Sequence, residues 1–351
     1  MKKVICAALS LSLLSSISVL ALAPEELVLA DPIRLEAMDT VAGDGKTIVN
    51  GQPVQIGSGL LSTATVLVSG TASVAEGATS RVTLMGTDEE GNEVAELVLN
   101  LSESTLILDG ATGDTATFAD IRTGDTIYAY VAPAMALSYP AQASATLILV
   151  NLAEDQAVPL YAEVDAVQTD AAAGTVTLVT NMDASLILTD ETAITPYLTR
   201  QLLTKDTIRP GMKVLAWYEE GSAGQSLTPT KLIAFNSAYA GIVAVADNGD
   251  ISIDGEVISM DLAKPYVDSE NAGYMVPMRS VAQALGCTVT WDQATGRVTV
   301  SKDGQTIYAY VIGEEATDAG YYIDYVLDSA RGITYFNINN LISLHNLKFV
   351  G

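Results

Sequence analysis

YMVPMRSVAQALGCTVTWDQATGRVTV, residues Tyr274 to Val300, spells out a local fold more plainly than any other part of the 351-residue chain. Pro277 suits a first helical turn, where its missing N–H costs nothing. Met278, Val281, Ala282 and Leu285 then recur at i, i+3, i+4 and i+7, one face of a helix, which Gly286 ends. Val289 and Trp291 alternate with threonines, Asp292 to Gly296 supply turn chemistry, and Val298 and Val300 alternate again. A β-hairpin therefore follows the helix.

The order of short helix, strand, Trp-Asp turn and strand resembles the copper amine oxidase N-terminal-like domain, a stalk module of secreted bacterial proteins. The resemblance rests on Val276 through Val300, with Met278 and Ser280 departing from the family's usual string. It implies an α+β fold over roughly the last third of the chain. It implies no copper chemistry, because the module is not the copper-bearing catalytic domain. Pro277, Arg279, Gly286, Trp291 and Asp292 are its motif positions, with structural roles. Arg279 is expected to be an ion-paired structural residue and not an anion site.

The last third also repeats itself. A slide of 60 residues lays Val276, Met278, Val281, Ala282, Leu285 and Val289 over Phe336, Ile338, Leu341, Ile342, His345 and Phe349. Gly286 falls on Asn346, and these two residue types enter the left-handed conformation most readily. Thr334 to Leu347 is accordingly expected to be a second, degenerate helix. Asp303-Gly304 is a two-residue turn signal, and Gln305 to Ile312 reads as a strand.

At the other end, Met1-Lys2-Lys3, the apolar run Val4 to Ala23 and its Ala21-Leu22-Ala23 ending have the form of a secretory signal peptide. A retained anchor is the rival, although five serines interrupt the run and no positive charge follows it. Cys6 has no lipobox around it. Cleavage would take the formal charge from −25 to −27. Such acidity repels nucleic acid and anionic lipid, and anionic wall polymers too unless divalent cations bridge them, within a screening length of about 8 Å. Charged residues are only 17% of the chain and hydrophobic ones 49%, so packed cores are affordable and this is not a disordered acidic tail. Only Cys287 survives cleavage, which excludes an internal disulfide, and its place just past the helix suits a buried thiol.

Between these ends lie short segments rich in Val, Thr, Ile and Leu: Thr47–Asn50, Ala64–Val68, Arg81–Met85, Ala95–Leu101 and Thr105–Leu108. Gly43-Asp44-Gly45, Asn50-Gly51, Gly77 and Glu90-Gly91-Asn92 punctuate them as a small barrel or sandwich requires. Asp120 to Tyr130 then resembles Thr207 to Trp217 at an offset of 87. Ser104–Leu108 resembles Ala184–Leu188, and Leu147-Ile148 resembles Leu232-Ile233. Four parts follow: a signal peptide (1–23), two related β modules (24–152 and 153–236) and the terminal module (237–351). The fold class is mostly β with an α+β C-terminal module: two small barrel- or sandwich-like modules, then a repeat of short helix plus β-hairpin.

Each β module carries an Ile-Arg-x-Gly turn, in which Gly124 or Gly211 takes positive φ; Arg122 and Arg209 are either solvated capping residues or ligand contacts. The identical TIYAYV strings at Thr126 and Thr306 reflect one demand for a half-exposed strand. The loops Val131–Ser144, with Met135 and Tyr139, and Glu219–Pro229 either pack across the scaffold or present recognition residues.

His345 is the only histidine and aligns with a core leucine, which removes Ser-His-Asp and Cys-His arrangements and most zinc, copper and iron sites. No nucleotide-binding loop is present. Carboxylate chemistry remains, but Asp88-Glu89-Glu90 and Asp247-Asn248-Gly249-Asp250 read as solvated turns, without the spacing of a twelve-residue calcium loop. The expectation is a secreted, non-catalytic binding or scaffold protein of the bacterial surface or wall, without cofactor or metal. Its partner would be wall polymer or a surface protein, not nucleic acid, with no stable membrane insertion. The alternative is a carboxylate-dependent hydrolase of wall polysaccharide.

Overall fold

The computed structural model describes residues 46–49, 52–55, 65–87, 93–136, 138–153, 156–182, 184–199, 202–219, 226–260, 263–268, 273–314, 316–318 and 321–350. The leader, the Gly43–Gly45, Asn50-Gly51 and Glu90–Asn92 turns and the Asp88–Glu90 cluster lie outside them. The chain is mostly β. One compact unit is built chiefly from Ala64–Ala162 and Leu215–Ile233, the other chiefly from Glu163–Val214 and Ala234–Gly351.

After a short hairpin of β1 (Lys46–Val49) and β2 (Gln52–Gln55), the chain forms a barrel. Its strands are β3 (Val66–Ser73), β4 (Arg81–Thr87), β5 (Glu93–Asn100), β7 (Thr126–Ala136) and β8 (Ala141–Val150), with β6 (Leu106–Asp109) alongside. The order β5-β4-β3-β7-β8 closes because the first half of β8 returns to β5 in parallel, while its second half takes β6. This is the connectivity of a small OB-type Greek-key barrel. The period of two decides what it buries: Ile127, Ala129 and Val131 on β7 meet Val82 and Leu84 on β4 and Leu97 and Leu99 on β5. Leu147 and Leu149 point to the opposite face of β8 and are buried as well.

The expected Val131–Ser144 loop is largely a hairpin. β7 runs to Ala136 and β8 starts at Ala141, with Met135 opposite Ala143 and Ala136 opposite Gln142. Bulges near Val131 and Met135 absorb the extra residues that made the stretch read as irregular.

The next strands are β9 (Leu160–Asp170), β10 (Thr175–Thr180), β11 (Ser185–Leu188), β12 (Ala193–Pro196), β13 (Lys213–Trp217), β14 (Ser226–Leu227) and β15 (Lys231–Ala234). They form a sheet of order β12-β15-β13-β9-β10-β11-β14. A meander of three strands, a fourth strand on the first and a last strand on the fourth is the order found in the barrel too. Each Ile-Arg-x-Gly turn follows a 3-10 turn, Phe118–Asp120 or Lys205–Thr207, and buries its isoleucine, Ile121 or Ile208. Gly124 and Gly211 have φ of 98° and 82°. Ser104–Leu108 and Ala184–Leu188 do not correspond in pairing, since the first supplies β6 on β8 and the second β11 on β10.

The C-terminal region contains β16 (Gly241–Val245), β17 (Ile251–Ile253), β18 (Glu256–Val257), β19 (Tyr266–Asp268) and β20 (Gly273–Pro277). Helix α1 (Met278–Ala284) follows, then β21 (Thr288–Asp292), β22 (Arg297–Lys302), β23 (Gln305–Val311), β24 (Ala316–Asp318) and β25 (Tyr321–Ile323). Last come β26 (Tyr325–Asp328), β27 (Ile333–Asn337), α2 (Ile338–Leu344) and β28 (Leu347–Val350). β21-β22-β23 form one antiparallel sheet, β19-β20-β27-β26 another, and β28 joins β16 in parallel. Met278, Val281 and Ala282 of α1 and Ile338, Leu341 and Ile342 of α2 enter one core with Tyr308, Tyr310 and Phe336.

Two local expectations change. Pro277 ends β20 and caps α1 instead of occupying its first turn. Thr334 to Asn337 belong to β27, so the second helix begins only at Ile338. The reason is pairing: β27 sits between β20 and β26, where its backbone groups gain ladder bonds that a longer helix would forfeit. Both helices stop as expected, at Gly286 (φ 77°) and Asn346 (φ 51°). Gly286 N–H donates to Gln283 O at 2.9 Å and Cys287 N–H to Ala282 O at 2.9 Å, a paired C-terminal cap. Only α1 leads into a hairpin; β28 after α2 pairs with β16. Among the described residues no helix is long and apolar enough to cross a membrane.

Candidate functional site

A groove of about 580 Å³ opens in the C-terminal region between three walls. The start of α1 contributes Pro277, Arg279, Ser280 and Gln283. The β21–β23 sheet contributes Trp291, Val298 and Tyr310, and the β26–β27 turn contributes Leu327, Ile333 and Thr334. Motif residues 14 positions apart thus meet because α1 folds back beside the hairpin that follows it. Trp291 sits opposite Val298 in the ladder and is 55% exposed. Leu327 is also exposed.

Arg279 is exposed and donates through Nη1 to the Val289 carbonyl at 3.1 Å. Its expected ion pair is replaced by this backbone contact; among the described residues no carboxylate lies within ion-pair distance of it. Among the described residues, none that lines the groove is acidic. Asp328, on the β26 wall, is tied to Arg331 at 2.6 Å. Asp292 lies in the turn below Trp291, accepting from Ala294 N–H at 2.9 Å and Thr295 Oγ1 at 2.7 Å, which hold its carboxyl below the usual range. Tyr310 is almost wholly buried and burial pushes its phenol up.

None of the candidates in the β modules is among the groove's lining residues. Arg122 and Arg209 are exposed; Arg209 Nη1 donates to the Asp206 and Ile208 carbonyls at 2.8 and 3.0 Å, capping its own 3-10 turn. Tyr139 stands at the tip of the β7–β8 hairpin, 95% exposed. The side chain of Met135 lies outside the description. Below the tip, Gln142, Asn100 and Arg81 join in a hydrogen-bonded row across β8, β5 and β4. The Asp247–Asp250 turn satisfies itself: Asn248 donates to Asp250 Oδ2 at 2.8 Å and accepts from Asp250 N–H at 3.0 Å. Among the described residues no cluster of three or more His, Cys, Asp or Glu could hold a metal.

Sequence reasoning missed the residues of the groove's third wall and a buried ion cluster. Lys348 Nζ bridges Glu163 Oε1 at 2.8 Å and Asp165 Oδ1 at 2.7 Å, with Glu163 only 2% exposed. Tyr239 donates its hydroxyl to Glu163 at 3.2 Å. Burial works to lower the Lys348 pKa, but bonds to Asp165 and Glu163 outweigh it and raise the value. An alternation of LKFV in sequence gives no sign of acids 183 to 185 residues away. The 237–240 segment is tied down too, with Ala240 N–H on Asn346 O at 2.9 Å and Asn346 Nδ2 on Ala238 O at 2.7 Å. Cys287 is a buried free thiol whose pKa burial raises, which keeps it from the reactive thiolate form. His345 is buried beside Tyr308 in an edge-on contact at 5.4 Å, where burial and then Lys302 lower its pKa to about 4.

The family model of the copper amine oxidase N-terminal domain matches residues 252–330, the part of the chain that carries α1, the Trp291-Asp292 turn and most of the groove. The match ends before β27 and α2. Neither a curated protein nor a solved structure matches the chain.

Proposed function

We propose that this is a secreted, non-catalytic binding or scaffold protein of the bacterial cell surface or cell wall. The groove beside Trp291 carries the reading: a large exposed aromatic flanks a mostly apolar cleft with a few polar groups, as in a binding site. Glycoside hydrolysis needs two carboxyl groups across the scissile bond. Among the described residues the groove lining offers none, and a smaller cleft on the barrel, near Ser80, Ser102 and Phe118, offers Glu103 alone. The barrel adds support by analogy, since OB-type barrels bind oligosaccharides and oligonucleotides through loops that include the fourth–fifth strand connection, here the Tyr139 hairpin. A charge of −25 disfavours the oligonucleotide.

The test is sedimentation of purified protein with isolated cell walls and peptidoglycan, with and without millimolar Ca²⁺. Saturable co-sedimentation is expected. Loss of it without Ca²⁺ means that cations bridge two acidic surfaces; its absence in both conditions overturns the reading.

A further inference from the structure

We propose that the groove beside Trp291 binds a saccharide bearing a carboxylate, with the sugar ring on the indole and the carboxylate on Arg279. The inference rests on the binding role above and names its ligand class. Three observations carry it. The chain has 42 acidic and 17 basic residues, so an exposed guanidinium with no carboxylate partner among the described residues is a positive point in a negative field. The one acid of β26, Asp328, is paired with Arg331. Arg279 is also oriented: its bond to the Val289 carbonyl fixes the guanidinium on the strand that carries Trp291 two residues on.

A pyranose ring has an apolar C–H face that an exposed indole covers, and hydroxyls at its rim that Ser280, Gln283 and Thr334 can meet. A carboxylate on that ring suits the planar donor fork of arginine. A purely apolar peptide would leave the guanidinium unused, and an acidic peptide would leave the indole face without a matching flat partner. Two sources present this chemistry: muramic acid in wall glycan stripped of its stem peptides, which frees the lactyl carboxylate, and uronic acids in other surface polysaccharides.

Isothermal titration calorimetry on the full protein tests it, with muramyl-containing glycan fragments stripped of stem peptides, an oligogalacturonate, the methyl ester of that oligogalacturonate and an acidic pentapeptide as probes. Saturable binding of one or both acidic saccharides is expected, weakened about tenfold to a hundredfold by esterification and by Arg279→Gln, and abolished by Trp291→Ala. Which saccharide binds tells the source. Both side chains are exposed, and the ester comparison needs no variant at all. Equal affinity for acid and ester, unchanged binding by Arg279→Gln, or binding of the peptide alone would overturn the proposal. If no saccharide binds while walls still retain the protein, the groove inference falls and the binding role stands. If neither walls nor any saccharide is bound, both fall.

Discussion

His345 is the only histidine in the chain and makes an unusually clean probe of the C-terminal core. It takes the place in α2 that Leu285 takes in α1, buried at 7% exposure, with Nε2 lacking a hydrogen-bond partner. Burial, then Lys302, holds its pKa at about 4 in the folded protein, against 6.5 as its ordinary value. The unfolded chain therefore binds a proton that the folded one refuses over this window. Stability is full above pH 6.5 and is lost as pH falls toward 4. The linkage is worth about 2 kcal/mol at pH 5 and about 3 kcal/mol below pH 4. Carboxylates contribute to acid sensitivity as well, so the informative quantity is the difference between the parent protein and His345→Leu. Urea unfolding from pH 7 to pH 4.5 should show that the variant loses about 2 kcal/mol less than the parent. An NMR titration of the single imidazole should give a midpoint near 4. A midpoint between 6 and 7, or identical pH profiles for the two proteins, would refute the reasoning.

Lys348→Met leaves Glu163 buried without its cation and should cost about 3–5 kcal/mol, most of it recovered by adding Glu163→Leu; denaturant unfolding of both variants checks this. At Gly113, with φ 75°, an added Cβ would collide with Ile233 Cδ1 and lie 2.7 Å from the Trp217 ring. Gly113→Ala should lower stability by about 1–3 kcal/mol in thermal unfolding, whereas Gly77→Ala, with positive φ but open space, should cost less. Asp292→Ala removes the acceptor of the Trp291 turn and should cost about 1 kcal/mol while speeding amide exchange at Ala294.

Much of the C-terminal region was legible from Met278, Val281, Ala282 and Gly286, because a short amphipathic helix and its stop are written in spacing of three and four residues. The hairpin after it was legible for the same reason, with period two and Asx-turn chemistry at Asp292. Thr334–Asn337 misled because TYFN suits a helical face or a strand equally, and only the presence of β20 and β26 on either side chooses. The Val131–Ser144 stretch misled because bulges break the period of two without breaking the strand.

What the sequence by itself determined is local: the helix α1 and its stop at Gly286, the turns at Gly124 and Gly211, and the placement of Cys287 and His345 in a core. Each depends on neighbours within a few residues, or on composition. What only the tertiary structure decided is convergence. Closure of the barrel depends on β8 meeting both β5 and β6, the Lys348 cluster on acids more than 180 positions away, and the groove on the β26–β27 turn approaching Arg279 and Trp291. Those meetings follow from three-dimensional packing of faces that periodicity marks as buried or exposed without saying against what.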